Sequence, residues 1–428
     1  MPDIFIQNLA LLEKRWPSLA DLLQQEAAEL NVTLVKGLSS TLSVDGIQLS
    51  SRHDRIKEAC QQMLSIPTVP EIHLYGIGLG DLPRELLKRA ELQKLHIHVL
   101  NESLLGLILH LLEQDDWLAD PRVTLHIASE YKEIQLPFFA IPAELFLASD
   151  GNAKIRDRLV AEIEQPYVNQ RFNPQNTELL DRIEQNISLL ELDPDVATLF
   201  DSYNGKEAFV LASGPSLELH YLKLLEIRKR QDRPVFIALD TALRPLMANG
   251  IEPDFVISID LLITSSHFPN LIPDTIKLIY FPLSQNQTLI SWHGKRYAAY
   301  SKSSIYDEVY QRFPKARFYS SGSVLHPAVD FAVRLGAKSI TLFGADFSYP
   351  RNKTHSGWES GVLGEPVAAA KHWVLNGDGV RVKTLLNFRS YLCALERYIA
   401  HHPEVQFYNS SRIGAFIDGT LFHPEFVK

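Results

Sequence analysis

Residues 209–217 read FVLASGPSL. An apolar strand runs there into a Gly-Pro-Ser turn, and a helix pattern (Leu217, Leu219, Tyr221, Leu222, Leu224, Leu225) follows at once. Such a junction leaves backbone N–H groups facing one point, where the helix dipole adds partial positive charge. Pro215 suits the first helical position, since its missing N–H costs nothing there. Gly214 lets the backbone approach a ligand closely, and Ser213 and Ser216 add hydroxyl donors. The chemistry predicted is the holding of a phosphate, on a nucleotide or another phosphorylated compound. Ser320, Ser321, Gly322 and Ser323 open a later helix pattern and predict a second cradle, for phosphate or carboxylate.

Acidic groups and a histidine surround these turns. Asp240 and Asp260 both end apolar strands and project over the same sheet edge as Ser213. A carboxylate there binds ribose hydroxyls or holds magnesium on phosphate oxygens. Asp254, after Pro253, suits a turn cap. Asp346 in the run GADF has two readings: a group of the site, or a tie for the loop that follows. That loop, SYPRNKTHSGWE, gathers Tyr349, Arg351, Lys353 and His355 beside Trp358. Loops at the carboxyl ends of strands carry mobile catalytic groups, and His355 is the candidate general base, with His372 a lesser one. In the first part of the chain Gly76, Gly78 and Gly80 form a turn after a strand, with Glu102 past the next strand. That spacing fits either a nucleoside site or a purely structural turn. The chain has no GxxxxGK[ST] loop, no HExxH, no GxSxG and no DxD pair, which argues against a P-loop ATPase and a serine hydrolase.

These residues need a scaffold. The 428 residues fit two or three domains, and 46% hydrophobic with 22% charged residues is ordinary for a globular chain. A net charge of −9 disfavours nucleic acid and anionic membranes as partners. The two cysteines, Cys60 and Cys393, sit in no CxxC or Cys/His cluster, which speaks against a zinc site and for the cytoplasm. The N-terminus lacks the pattern of a signal peptide, residues 1–28 have a helical pattern, and no apolar run is long enough for a bilayer. Strands alternate with helices twice, from EIHLYGIGLG onward and from AFVLAS onward, which predicts parallel sheets. The expected fold is α/β: two tandem Rossmann-like parallel-sheet domains joined by a helical connector. The expected divisions are 1–136, a connector over 137–205 with no strong strand, and a catalytic domain over 206–428. Ligands are expected at the carboxyl ends of the strands.

Several blocks together resemble a known family. GPSL, then SSGxxxxxAxxxAxxLGxxxIxLxGxDF, resembles the motility-associated-factor (Maf) flagellin glycosyltransferases, whose central domain is similar to bacterial sialyltransferases that use CMP-sialic acid. The stretch G-I-x-P-D-F-x-x-x-x-D is shared with archaeal 6-hydroxymethyl-dihydropterin pyrophosphokinases of the same superfamily. The resemblance is tightest over 208–260 and 320–357, looser at YGIGLG, and weak over 384–420.

The resemblance implies a cytoplasmic inverting glycosyltransferase. It would move a nonulosonic acid, of pseudaminic or legionaminic type, from a CMP-activated donor to Ser or Thr of flagellin. Ser213, Gly214 and Ser216 would lie along the nucleotide. Asp240 would fall where the sialyltransferases have an asparagine contacting the donor, with Asp260 nearby. Ser320, Ser321 and Gly322 would grip the phosphate and the donor sugar. Tyr349 would hydrogen-bond the departing phosphate, and His355 matches a histidine recurring after GxDF. No cofactor and no metal are expected, since fixed donors can hold CMP as it leaves. Flagellin is the expected partner, with no membrane insertion, and oligomeric state is left open. Two departures stand out: Ser213 replaces the asparagine of the usual G-N-G-P-S, and Lys383-Thr384 occupy the place of the sialyltransferase base histidine. The alternatives are a magnesium-dependent pyrophosphokinase acting on a pterin alcohol through Asp240 and Asp260, and a non-catalytic flagellin-binding protein.

Overall fold

The structure, a computed structural model, describes residues 4–24, 29–170, 175–359, 363–364 and 366–427. Parts of the helical readings, at 1–3, 25–28 and 171–174, lie outside the described residues. The chain forms two compact units, Met1–Glu162 and Ile163–Lys428.

In the first unit the helices Ile4–Arg15 and Pro17–Gln24 pack on the helix Glu102–Leu111. A small antiparallel sheet follows, of β1 (Val32–Val35), β2 (Thr41–Val44) and β3 (Ile47–Gln48). Its turn falls at Asp45 and Gly46, both at positive φ (50° and 81°), the conformation that makes Asp-Gly a hairpin signal. Next come β4 (Glu71–Tyr75), β5 (Lys94–Val99), β6 (Val123–Ile127) and β7 (Phe138–Ala140), a parallel sheet in the order β6-β5-β4-β7. Strand β7 corrects the expectation that the connector over 137–205 holds no strong strand. Its three residues, between Pro137 and Pro142, are too few to show a period of two.

The chain steps from β4 through β5 to β6 on one side, and β7 pairs on the other. The crevice between the ends of β4 and β7 is therefore a topological switch point, where α/β sheets hold ligands. Here the protein fills it itself. Glu144, at the start of the helix Pro142–Leu147, accepts hydrogen bonds from the amides of Ile77 and Gly78, both at 2.6 Å. A methyl group on Gly76, whose φ is +91°, would stand 2.7 Å from that carboxyl carbon. Glu102, the expected ribose group, instead accepts from Asn152 Nδ2 at 2.8 Å.

The second unit holds a sheet of eight parallel strands. They are β8 (Glu207–Leu211), β9 (Val235–Leu239), β10 (Phe255–Ser258), β11 (Lys277–Tyr280), β12 (Arg296–Ala298), β15 (Ser339–Phe343), β18 (Gln406–Asn409) and β19 (Leu421–Phe422). The short pairs β13 (Tyr300–Ser301) with β14 (Arg317–Phe318), and β16 (His372–Leu375) with β17 (Arg381–Thr384), lie outside it. The order is β12-β11-β10-β9-β8-β15-β18-β19. Ala208 to Leu211 and Val235 to Leu239 are all buried, which is why these strands read as unbroken apolar runs, and Ile340 to Phe343 is buried with Thr341 as its one polar residue. The chain leaves β8 in one direction and returns at β15 for the other, so β8 and β15 flank the switch point of this sheet. Both units are thus α/β, built on parallel sheets.

Burial of Glu144 pushes its pKa up to about 7, against the two amide hydrogen bonds that pull it down. A carboxyl whose pKa is raised on folding contributes stability in full below about pH 4.5 and loses it as pH rises through about 7. Denaturant unfolding at pH 5 and pH 8 should therefore show Glu144→Gln gaining on the wild type at the higher pH, by on the order of 3 kcal/mol. A pH-independent difference between the two proteins would refute this account.

Candidate functional site

The loops leaving β8 and β15 are stitched together. Ala212 N donates to Phe343 O at 2.8 Å and Gly214 N to Gly344 O at 2.9 Å. There is no space for side chains where they meet. A Cβ on Gly214 would lie 2.3 Å from Gly344 O, and one on Gly344 (φ +63°) 2.3 Å from Ala212 O. Across this junction Asp346 accepts from Ser216 N at 2.8 Å and from Ser216 Oγ at 2.5 Å. Leu217 N closes back on Gly214 O at 3.1 Å. The turn therefore continues as a 3₁₀ segment, Pro215–His220, and the α-helix begins only at Tyr221.

This corrects the reading of the Gly-Pro-Ser turn as a nest of free amides. The donors of Gly214, Ser216 and Leu217 all have partners within the protein. Asp346 ties the turn after β8, not the loop that follows it as one sequence reading had it: both of its oxygens are engaged by Ser216, and the residue also lines the cleft at this switch point. Burial raises its pKa to about 6 against the Ser216 hydrogen bonds.

The second cradle is closed in the same way. The amides of Ser321 and Ser323 point to His326 Nδ1, at 3.2 and 3.4 Å, and His326 Nε2 donates to Tyr391 O at 3.0 Å. Burial pushes His326 down to about 4, so the neutral ring is an acceptor at one nitrogen and a donor at the other. Gly322 (φ +87°) lies against Tyr391, where a Cβ would be 2.4 Å from the ring. His326 was not singled out in the sequence. Its signal was a histidine three residues after Ser323, in the first turn of the helix Leu325–Arg334, within reach of the preceding amides.

Beyond these ties lies a cleft of about 130 Å³ at the β8/β15 switch point. Its polar side includes Ser213, Ser323, Thr354 and His355, and its apolar side Leu239, Leu325, Phe347, Phe388 and Tyr391. Phe347 adopts the left-handed backbone (φ 44°), a strained conformation for a bulky residue. Thr354 Oγ1 and His355 Nδ1 are both buried without a hydrogen-bond partner. Burial holds His355 at about 4, so its imidazole is neutral at physiological pH. Thr354 was missed in the sequence, although it adjoins His355.

Asp240 stands behind the cleft. Its carboxylate accepts from Thr241 N at 2.8 Å and Ser258 Oγ at 3.0 Å, and Thr241 Oγ1 donates to Ser213 Oγ at 2.8 Å. Burial, and then the charge of Asp260, push Asp240 up to about 7. Asp260 is exposed and caps the amide of Leu262 at 2.9 Å. Asp254 pairs with Arg233 at 2.6 Å and accepts from Phe236 N, a structural role. Tyr349 is buried with Val367 and Ala370, its ring 5.6 Å from that of Phe388, and is not among the residues lining the cleft. Ser320 and Ser321 also lie outside that lining.

The loop carrying His355 was expected to be mobile. It is anchored at several points instead: Tyr349 N to Lys383 O and Ser356 N to Ser213 O, both at 2.8 Å, Gly357 N to Glu218 Oε1 at 2.8 Å, and Trp358 Nε1 to Thr241 O at 2.9 Å. Thr384, in the place of the sialyltransferase base, gives its hydroxyl to Phe347 O at 2.6 Å. Of the predicted site residues, Ser213, Gly214, Asp346 and His355 are thus brought together at the cleft.

Residues 179–352 match the family model MptE-like, described as 6-hydroxymethylpterin diphosphokinase MptE-like. The match is a likeness over part of the chain, to a family of the superfamily that the sequence resemblance names. No curated protein matches the chain. Among solved structures, a Maf glycosyltransferase from Magnetospirillum magneticum AMB-1 is 17% identical, with 98% of this chain and 74% of that chain covered and a TM-score of 0.41. A spermidine synthase in complex with the transition-state analogue AdoDATO is 16% identical, with 30% of this chain and 50% of that chain covered and a TM-score of 0.23. Neither structural likeness is close enough to bear on the chemistry of this chain.

The Asp346 tie has a measurable strength. Ser216→Ala and Asp346→Ala should each destabilise the chain, and a double-mutant cycle should give a coupling of about 1.5–3 kcal/mol. Additive effects in denaturant unfolding would mean that the two side chains act separately.

Proposed function

We propose that the β8/β15 cleft binds a CMP-activated sugar and that the chain is an inverting glycosyltransferase. In this reading the donor is a nonulosonic acid and the acceptor a Ser or Thr hydroxyl of flagellin. The observation that carries the reading is the pair of buried, unpartnered groups, Thr354 Oγ1 and His355 Nδ1, on residues that line the same switch-point cleft as Ser213. Hydroxyls and a neutral imidazole suit the single charge of a CMP-sugar phosphodiester better than the charge of a triphosphate. Phe388 and Tyr391 offer flat apolar surface to a base or a sugar ring. The two parallel sheets, each with a glycine turn at its switch point, support reading the chain as two Rossmann-like domains in tandem.

The chemistry would run as follows. The bond from the anomeric carbon to the CMP phosphate breaks, and its electron pair leaves on the phosphate. An acceptor hydroxyl attacks the opposite face of an oxocarbenium-like centre. His355 takes the hydroxyl proton, and Ser213 and Thr354 donate hydrogen bonds to the phosphate as its charge grows. No resident cofactor or metal is assigned in this reading.

A second reading has a specific observation behind it. Asp240 and Asp260 lie close enough for the charge of one to raise the pKa of the other, and the matched family is described as diphosphokinase-like. As a diphosphokinase the chain would use these carboxylates for magnesium on ATP.

Thermal-shift measurements with CMP, CDP and ATP, each with and without magnesium, separate the readings. A ligand at ~100 times its Kd adds about 2.7 kcal/mol of stability. Stabilisation by CMP without magnesium is the expected result, and stabilisation by ATP with magnesium alone would sink the transferase reading. His355→Ala should lower transfer by about 100-fold or more while CMP affinity changes little. Thr354→Val should weaken CMP binding by about 5- to 10-fold, the loss of one hydrogen bond. Full transfer activity in His355→Ala would remove that residue from the role of base.

A further inference from the structure

The first unit carries histidines that the cleft does not use. Along β4, β5 and β6 the side chains alternate, and Ile72, Leu74, Leu95, Ile97, Val123 and Leu125 are buried on one face. The opposite face carries Glu71, His73, His96, His98, Thr124 and His126. Register aligns them: His73 pairs with His96, His96 with Thr124, and His98 with His126. A parallel sheet covered on both faces ordinarily presents apolar residues on both. A face of stacked imidazoles is not a packing requirement.

We propose that Glu71, His73 and His96 form a site for a divalent transition-metal ion of zinc-like chemistry. One ligand atom from each residue lies within 4.8 Å of the other two. Glu71 Oε1 is 2.9 Å from His96 Nε2 and 4.0 Å from His73 Nε2. Ligand bonds of about 2.0–2.1 Å in a tetrahedron put ligand atoms about 3.4 Å apart. Rotations of the half-exposed Glu71 side chain bring its oxygen to that spacing.

The remaining ring nitrogens are already held, as they are in metal sites. His96 Nδ1 is 2.8 Å from Thr124 Oγ1, and His73 Nδ1 is 3.0 Å from His98 Nε2. The tautomer in which His73 donates to His98 leaves the His73 Nε2 lone pair facing Glu71. Burial lowers the pKa of both His73 and His96, which favours the neutral rings that bind metals. Two imidazoles and a carboxylate select zinc, cobalt, nickel or copper over magnesium and calcium. Glu71 opens β4, while His73 and His96 sit mid-strand on β4 and β5. The role of the site is accordingly to brace two neighbouring strands, with solvent in the fourth position.

The test uses the full chain, stripped with a chelator and titrated with Co²⁺. One equivalent should bind with a visible tetrahedral absorption band, be displaced by Zn²⁺, and raise the melting temperature, while Mg²⁺ does none of these. Glu71→Gln, on an exposed side chain, and His96→Gln should each weaken cobalt binding by at least ~10-fold. Should His96→Gln fail to fold, Glu71→Gln alone decides. No band in the wild type, or a band unchanged in Glu71→Gln, overturns the proposal.

Discussion

A buried carboxylate that reaches across a switch point to the turn on the neighbouring strand holds both halves of this molecule in order. In the second unit Asp346 takes the amide and hydroxyl of Ser216. In the first, Glu144 takes the amides of Ile77 and Gly78. Each carboxylate stands where a bound phosphate would otherwise neutralise the open amides of a strand-to-helix turn. Each also has a raised pKa, so the cost of burial exceeds what its hydrogen bonds return. The turns keep their shape without any external anion.

The two units diverge in what lies beyond the tie. In the first, Glu144 occupies the crevice of the switch point. In the second, Asp346 sits lower and a cleft remains above it, with a hydroxyl and an imidazole lacking partners. Buried polar groups are nearly always satisfied, and it is on this exception at the cleft that the proposed ligand site rests. Asp240 holds the backbone amide of Thr241, whose side-chain hydroxyl donates to Ser213 Oγ.

Much of the scaffold was legible in the sequence. The apolar runs at Ala208 to Leu211 and Val235 to Leu239 are long enough to declare buried parallel strands. Strand β7 and the pair β16/β17 were not, because three or four residues beside prolines and polar turns carry no clear period. At the site, the sequence identified the loops that meet but not which donors stay open. That depends on partners more than a hundred residues away, such as Asp346 for Ser216. The histidines of β4 and β5 escaped notice for a related reason. His73 and His96 are far apart in the chain and become neighbours only through strand register.

The contact between Gly214 and Gly344 has one more consequence. With no room for even a methyl group between the two loops, neither can shift without the other. The floor of the cleft is therefore a rigid plate, and evolution or engineering cannot retune its shape by small substitutions there. A change of ligand preference within this scaffold would have to come from the apolar side of the cleft, where Phe388 lies away from the join.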